Sequence, residues 1–289
     1  MSRSIPLPCA PWLAIALAGM LAAVSGPAEA ASSPWIEGNK FRARLVAGEV
    51  ADASGAKRLM AGIELELERG WKTYWRMPGD TGVPPNFDFS ASRKISTATV
   101  RYPAPVRLVD PAGQAVVYKD AVLFPVEIVA AGEGSDPLHL SVKLEIGVCE
   151  KICIPVFAKL DLDIPRKPGA AGEGALIAEA FARVPKRGKT LGPSDPRLLN
   201  ADLKVDGDKT RLEFTAEFPG GVDGADLFVE GPGTTYVPMP SKVGDTTGKR
   251  VRFAVDLSKD EAAELKGKSL TVTLVAKSGA SESVWVIAK

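Results

Sequence analysis

LHLSVKLEIGVCEKICIPVFAKLDLDI, residues 138–164, is the stretch that indicates the fold most clearly. Apolar and polar residues alternate through its first nine positions and, except at Phe157, through its last nine, which is the period of a strand with one buried face. Gly147 relieves backbone restriction on one side of the middle, and Pro155 ends regular pairing on the other. The stretch therefore predicts two antiparallel strands joined by a turn that contains Cys149 and Cys153.

The same alternation recurs through most of the chain. It predicts strands at 41–49, 62–68, 97–102, 115–119 and 122–129, and again at 201–207, 210–218, 225–231, 250–257, 269–277 and 283–288. Helical patterns occur at 175–184 and at 258–267, the second with Ser258 or Asp260 as N-cap. The sequence therefore predicts an all-β protein with two tandem β-sandwich domains, at about 31–165 and 197–289, joined by a linker at 166–196 that contains the first helix.

Residues 1–30 have the features of a secretory signal peptide. Arg3 supplies a positive start, residues 11–24 are apolar, and AEA at 28–30 is a small-residue cleavage signal. We expect this segment to be removed and the mature protein to be exported to a compartment where disulfides persist. Cleavage would also remove Cys9, so that Cys149 and Cys153 would be the only cysteines of the mature protein.

The overall charge excludes some classes of partner. The 289 residues carry 36 basic and 35 acidic side chains, a formal net charge of +1. Proteins that bind nucleic acid or anionic membranes usually have a basic excess, so neither partner is expected. His139 is the single histidine, which excludes a histidine-rich metal site, and also a Ser-His-Asp triad unless His139 serves it.

The residues alone leave three interpretations of the cysteine pair. A disulfide across about five residues stabilises by roughly 2 kcal/mol in the chain-entropy model, against about 3 kcal/mol for a 15-residue loop, so it is a weak structural link. Lys151 would favour a thiolate and Glu150 would oppose it. Two thiolates can bind Cu(I), but a zinc site needs further ligands that the sequence does not offer nearby. A structural disulfide, a redox-active pair and a Cu(I) site formed by the two thiolates all stay open at this point.

Three segments resemble the N-terminal periplasmic domain of the thiol:disulfide interchange protein DsbD, in the variant found in ScsB proteins, which suppress copper sensitivity. They are GWKTYWRMPGDTGVPPNFDFS (70–90), the stretch 102–128 with YPAPVRL and VYKDAVLFPVEI, and LEIGVCEKICIP (144–155). The resemblance covers roughly residues 38–165. It implies an immunoglobulin-like fold for that domain and a periplasmic location. The second domain resembles the additional β-domain of ScsB-type proteins, and we expect it to be an immunoglobulin-like antiparallel sandwich as well.

The resemblance also implies a function for the cysteines. Cys149 and Cys153 match the pair that accepts electrons from a membrane-linked thioredoxin-like donor and passes them to periplasmic oxidoreductases, including cytochrome c maturation proteins. Cys153 would form the mixed disulfide, without a small-molecule cofactor or a metal. Tyr74 matches an aromatic that packs near the pair, and Trp75 and Tyr118 are further candidates for supporting or shielding it. The activity predicted is that of a protein-disulfide reductase or interchange component.

The chain departs from the family in two respects. Pro111 and Ala112 stand where the family has the aromatic residues of a cap over the cysteines, so no aromatic cap is expected there. No transmembrane electron channel or thioredoxin-like C-x-x-C motif is recognisable, so we expect a separate membrane donor and no membrane insertion of this protein. The alternative function is a non-catalytic immunoglobulin-like adaptor, with a role in copper tolerance and a structural disulfide.

Overall fold

The computed structural model describes residue 1 and residues 32–52, 54–111, 113–166, 172–206, 209–233, 235–246 and 248–288. Apart from its first residue, the predicted signal peptide lies outside the described residues, and so does Ala112.

The first domain consists of two antiparallel sheets. Its strands are β1 (Ile36–Gly38), β2 (Phe41–Ala51), β3 (Lys57–Leu67), β4 (Lys72–Gly79), β5 (Asn86–Asp88), β6 (Ile95–Val100), β7 (Val106–Asp110), β8 (Gly113–Lys119), β9 (Ala121–Ala130), β10 (Leu138–Cys149) and β11 (Cys153–Ile164). Sheet A has the order β1-β2-β3-β9-β6. Sheet B has the order β11-β10-β4-β8-β7, with β5 beside β10.

The core of the first domain lies between these two sheets. The long strands β2, β3, β10 and β11 contribute alternate side chains to it, as the period of a half-buried strand requires. Phe124 of sheet A and Trp75 of sheet B are fully buried there, and the ring of Tyr118 lies 5.2 Å from that of Phe124, edge to face. The burial of these aromatic rings, together with the aliphatic side chains around them, holds the sheets together.

The second domain is a separate pair of four-stranded sheets with its own core. Its elements are β12 (Lys186–Arg187), β13 (Arg197–Asp206), β14 (Lys209–Glu217), β15 (Asp226–Glu230), β16 (Ser241–Lys242), β17 (Arg250–Leu257), α2 (Lys259–Leu265), β18 (Ser269–Ala276) and β19 (Gly279–Val286). The sheets have the orders β12-β19-β18-β15 and β13-β14-β17-β16. Ser258 caps α2 by accepting a hydrogen bond from the Glu261 amide, as the sequence predicts.

Helix α1 (Gly174–Ala182) connects the domains and packs on the outer face of sheet A. Ile177 and Ala180 are buried there against Val46 and Met60. Among the described residues, no helix is long and apolar enough to span a membrane.

The two domains are in direct contact. The Trp75 ring lies 5.6 Å from the ring of Phe228 in β15, and Phe228 is buried as part of the first domain's core. Arg76 donates to Glu230, with 2.6 Å between Nη2 and Oε1, and Arg107 donates to both carboxylate oxygens of Asp226. Strands β4 and β7 of sheet B therefore form the side of the first domain that faces the second.

The predicted fold class is confirmed: the chain is nearly all β, with two domains, the first an immunoglobulin-like sandwich. Strand β4 is an element that the sequence pattern does not predict. Thr73, Tyr74 and Trp75 are consecutive and all buried, because sheet B is covered on both faces at this position. A strand buried on both faces has no alternation of apolar and polar residues to reveal it.

Candidate functional site

The hairpin of β10 and β11 brings the two cysteines opposite each other. The register runs from Leu138 opposite Ile164 to Cys149 opposite Cys153, and the loop 150–152 closes the turn. The two cysteines form a disulfide, with Cα atoms 4.1 Å apart. Lys72 of β4 supports the loop by donating from Nζ to the Glu150 carbonyl at 3.1 Å. The pair therefore sits at the tip of the hairpin, as the sequence predicts.

The two cysteines differ in their access to solvent. Cys149 is 1% exposed, because β4 pairs with β10 at this position, opposite Lys72. Cys153 is exposed at the start of β11, which is the edge strand of sheet B. A protein or small thiol in solution can therefore approach the pair through Cys153.

Tyr74 lies against the disulfide from the β4 side. Its hydroxyl oxygen is 3.2 Å from Cys149 Sγ and 3.4 Å from Cys153 Sγ. Neither sulfur carries a hydrogen while the disulfide is closed, so the tyrosine hydroxyl is the donor. The side chain of Tyr74 is 3% exposed, which keeps this donor out of competition with water.

Tyr74 and Cys149 belong to a small buried cluster on the outer face of sheet B. Ala115 and Val117 of β8 complete the cluster, whereas the alternate residues of β8 point into the sandwich core. The cluster shows that sheet B has a second, smaller buried face, and the cysteine site is part of it.

The Tyr74 ring is held between two glycines. A Cβ atom on Gly82 would lie 2.5 Å from Tyr74 Cδ1, and one on Gly147 would lie 3.3 Å from Cε2. Contacts closer than 3.0 Å are not tolerated, so Gly82 allows the backbone of its loop to lie directly on the ring. We call residues 78–82 the cover loop. It is the segment that encloses Tyr74 on the side away from Gly147.

The structure separates the three aromatic residues that the sequence proposes for the site. Tyr74 contacts both sulfurs. Trp75 and Tyr118 point to the opposite face of sheet B, into the core, where the Tyr118 hydroxyl donates to the Pro103 carbonyl at 2.7 Å. Any support that these two give the cysteines acts through packing of the sheet, because they do not shield the sulfurs directly.

Sequence reasoning did not find Gly82 or Gly147 as residues of the site. A glycine indicates a site only when its neighbours in space are known. Tyr74 is 8 residues from Gly82 (82 − 74) and 73 residues from Gly147 (147 − 74), so the sequence does not show that these two glycines enclose its ring. Nor does any group of three or more His, Cys, Asp or Glu side chains in the described part of the chain come together as a metal site.

Residues 42–165 match the family model "Thiol:disulfide interchange protein DsbD, N-terminal". The match includes Tyr74, both cysteines and the whole hairpin. The first domain belongs to the DsbD N-terminal domain family. Thiol–disulfide exchange is the chemistry of this family, and the closed Cys149–Cys153 disulfide of this DsbD-type domain is in keeping with it.

Residues 183–289 match a second model, a domain of unknown function, DUF8393. The crystal structure of the N-terminal periplasmic domain of ScsB from Proteus mirabilis superposes with a TM-score of 0.68 at 20% identity, over 90% of this chain and 100% of that one. This similarity supports the two-domain fold. A complex of Dpr2 Ig1-Ig2 with DIP-Theta Ig1-Ig3 reaches a TM-score of only 0.24 at 9% identity, too low to support a comparison. No curated protein matches the sequence significantly.

Proposed function

We propose that this protein is a periplasmic thiol–disulfide exchange protein that uses Cys149 and Cys153 to pass electrons from a membrane-linked thioredoxin-like donor to periplasmic oxidoreductases. The observation that carries the proposal is the asymmetry of the pair: Cys153 is an exposed residue, whereas Cys149 is buried with its sulfur against the Tyr74 hydroxyl. Thiol–disulfide exchange needs one sulfur that a partner can attack and a second that leaves and later resolves the mixed disulfide.

The first half-reaction reduces the pair. A thiolate of the reduced donor attacks Cys153 Sγ, the bond to Cys149 breaks, and Cys149 leaves as a thiolate. The second thiol of the donor then attacks the mixed disulfide and releases Cys153. The donor ends as a disulfide, and the cysteine pair has gained two electrons, with one proton taken up by each sulfur that does not stay a thiolate.

The second half-reaction returns the pair to its starting state. The Cys153 thiolate attacks the disulfide of an oxidised acceptor, and one acceptor sulfur leaves as a thiol. Cys149 then attacks Cys153 in the mixed disulfide, which closes the Cys149–Cys153 bond again and frees the acceptor as a dithiol. No cofactor enters either half-reaction.

Tyr74 is suited to assist the departure of Cys149. Its hydroxyl is 3.2 Å from Cys149 Sγ, and a hydrogen bond to an ionised acceptor is about twice as strong as one to a neutral acceptor. The bond therefore strengthens as negative charge develops on the leaving sulfur. This favours attack at Cys153 with Cys149 as the leaving group.

The surface around Cys153 supports a protein partner. Ile152 is 67% exposed and Phe157 is 70% exposed, and Phe157 lies on the same face of β11 as Cys153 because the two are four residues apart. A partner whose sulfur reaches Cys153 must cover this apolar surface, and apolar and aromatic residues are enriched in the centres of protein interfaces.

A structural role for the disulfide is weakly supported. The hairpin register already holds β10 and β11 together over their full length, so the bond closes a short ring that the strands have formed. In the chain-entropy model such a ring contributes roughly 2 kcal/mol at most. The periplasmic location is supported by the predicted signal peptide and by the ScsB domain of similar fold, whose structure is described as periplasmic.

Trapping with single-cysteine variants tests the proposal. We expect Cys149→Ser, which leaves the exposed thiol without its resolving partner, to accumulate mixed disulfides with thioredoxin-fold proteins. The matched variant Cys153→Ser keeps only the buried thiol and should accumulate far fewer. Equal trapping by both variants, or none by either, would contradict the proposed mechanism.

A redox titration of the wild-type protein supplies the second test. Exchange partners require a disulfide that periplasmic dithiols can reduce. A pair that stays oxidised at potentials far below about −300 mV would be a structural disulfide. Together with unchanged partner binding by a Cys149→Ser, Cys153→Ser double variant, that result would favour the adaptor function.

A further inference from the structure

The cover loop lies between the cysteine site and the second domain. On one side Gly82 packs on the Tyr74 ring, at a distance that leaves no room for a Cβ atom. The ring and its hydroxyl therefore cannot move away from the sulfurs in this direction unless the loop moves first.

Strand β8 holds the middle of the cover loop. The Asp80 amide donates to the Gln114 carbonyl at 2.8 Å, and the Gln114 amide donates to Asp80 Oδ2 at 3.2 Å. Gly79 pairs with Ala115 of the same strand. These bonds use one carboxylate oxygen of Asp80 and leave the other for a further donor.

The second domain supplies that donor. The Tyr236 hydroxyl donates to Asp80 Oδ1. Met239, in the same segment of the second domain, is 4% exposed, and its Cε would be 3.0 Å from a Cβ atom on Gly79. One segment of the second domain thus contacts the cover loop through a polar and an apolar side chain.

A second contact between the two domains lies next to β8. Arg107 donates to Asp226 of β15, and the same guanidinium donates from Nη1 to the Gln114 side chain at 2.6 Å. Gln114 is the residue whose backbone binds Asp80. The second domain therefore contacts the cover loop directly and also through the residue that holds it.

We propose that the second domain tunes the redox equilibrium of the cysteine pair by holding the cover loop over Tyr74, through Tyr236 on Asp80 and Met239 on Gly79. Tyr236 and Asp80 act as positioning residues, since neither touches a sulfur. The biological importance of this control rests on the proposed exchange function, but the coupling itself is a property of the isolated protein.

The direction of the effect follows from the hydrogen bond. A hydroxyl donor stabilises a thiolate more than it stabilises the neutral sulfurs of a disulfide. A loosened cover loop would let Tyr74 leave the sulfurs for part of the time, and the reduced form would lose some of this stabilisation. The equilibrium would then shift toward the disulfide.

The test uses the full chain, with Tyr236→Phe to remove the donor and keep the ring. We expect amide hydrogen exchange in residues 79–83 to accelerate by about fivefold, the factor that one ordinary hydrogen bond contributes. The equilibrium constant for reduction by dithiothreitol should fall by roughly two- to threefold, because the loop keeps its bonds to β8 and opens only part of the time. Dithiothreitol replaces any protein partner, so failure of the exchange function would leave this result intact.

A double-mutant cycle separates positioning from a general loss of structure. If Tyr236 acts through Tyr74, Tyr236→Phe should not change the reduction equilibrium further in a Tyr74→Phe background. Lys277→Ala is the control, because it removes an exposed ion pair with Asp223 within the second domain and should change neither measurement. An undiminished effect of Tyr236→Phe in the Tyr74→Phe background, or unchanged amide exchange in residues 79–83, would overturn the proposal.

Discussion

Tyr74 and Trp75 are neighbours in the chain, but they lie on opposite faces of β4. Tyr74 packs between two glycines with its hydroxyl on the sulfurs, whereas Trp75 is fully buried between the sheets and against Phe228 of the second domain. One face of sheet B thus carries the disulfide and its tyrosine, and the other packs into the core of the sandwich. The alternation of side chains along a strand lets one short segment supply both.

The largest expected effect on stability comes from a substitution on the inner face of β4, the face that is buried between the two sheets. Trp75→Ala removes a fully buried aromatic that joins the core to the second domain, and should destabilise the protein by about 3–5 kcal/mol. Urea denaturation followed by circular dichroism measures this. A loss below about 1 kcal/mol would mean that the inner face of β4 does not hold the sandwich together.

A smaller effect is expected where the outer face is overpacked. Gly82→Ala places a Cβ atom 2.5 Å from both Tyr74 Cδ1 and Pro78 Cβ, so either the cover loop or the ring must move. We expect a loss of about 1–3 kcal/mol, together with a shift of the reduction equilibrium toward the disulfide. Gly132→Ala is the control, because nothing lies within 4 Å of a Cβ atom there, although its backbone has a positive φ of 69°. A stability loss without any redox change would contradict a link between the cover loop and Tyr74.

Whether the sequence predicts a strand depends on whether buried and exposed side chains alternate along it. The two arms of the hairpin alternate except at Phe157, so β10 and β11 follow from the residues alone, and the cysteines are placed at its tip. Strand β4 leaves no such pattern because three consecutive residues are buried. The resemblance to the DsbD family implies the position of Tyr74 beside the sulfurs, and no spacing in the sequence indicates it.

Contacts between the domains are beyond sequence reasoning for a different reason. Arg76 and its partner Glu230 are separated by 154 residues, and Asp80 and Tyr236 by 156. None of these four residues differs in type from an ordinary surface or turn residue. The PGDTG stretch is recognisable as a turn, but nothing in it indicates that a second domain lies on it.

Loss of a hydroxyl on the inner face should affect stability without affecting the disulfide. Tyr118→Phe leaves the Pro103 carbonyl without its donor and should cost about 1–2 kcal/mol, with a reduction equilibrium like that of the wild type. Denaturation and a dithiothreitol titration on the same variant measure the two quantities. A redox change as large as that of Tyr74→Phe would show that both faces of the sheet act on the sulfurs.

The pH dependence of the free energy of unfolding provides a further test of the buried Tyr118 hydroxyl. Burial raises its pKa well above the usual 10.0. Because the pKa of Tyr118 is higher in the folded than in the unfolded state, its contribution is complete below pH 10.0 and is lost as the pH rises above it. The stability of the wild type should therefore fall more steeply above this pH than that of Tyr118→Phe.

The last substitution, Tyr74→Phe, should change the stability of the protein least and the redox equilibrium of the cysteine pair most. Tyr74→Phe keeps the ring between Gly82 and Gly147 and removes only a bond to weak sulfur acceptors, so the stability of the oxidised protein should change by less than about 1 kcal/mol. The reduced form loses a donor to its thiolate, which should shift the dithiothreitol equilibrium toward the disulfide by about five- to tenfold. Tyr118→Phe makes the same chemical change on the inner face and is the matched comparison. If Tyr74→Phe changed stability more than it changed the redox equilibrium, the outer face would be a second structural core, and the hydroxyl beside Cys149 would have no part in the exchange.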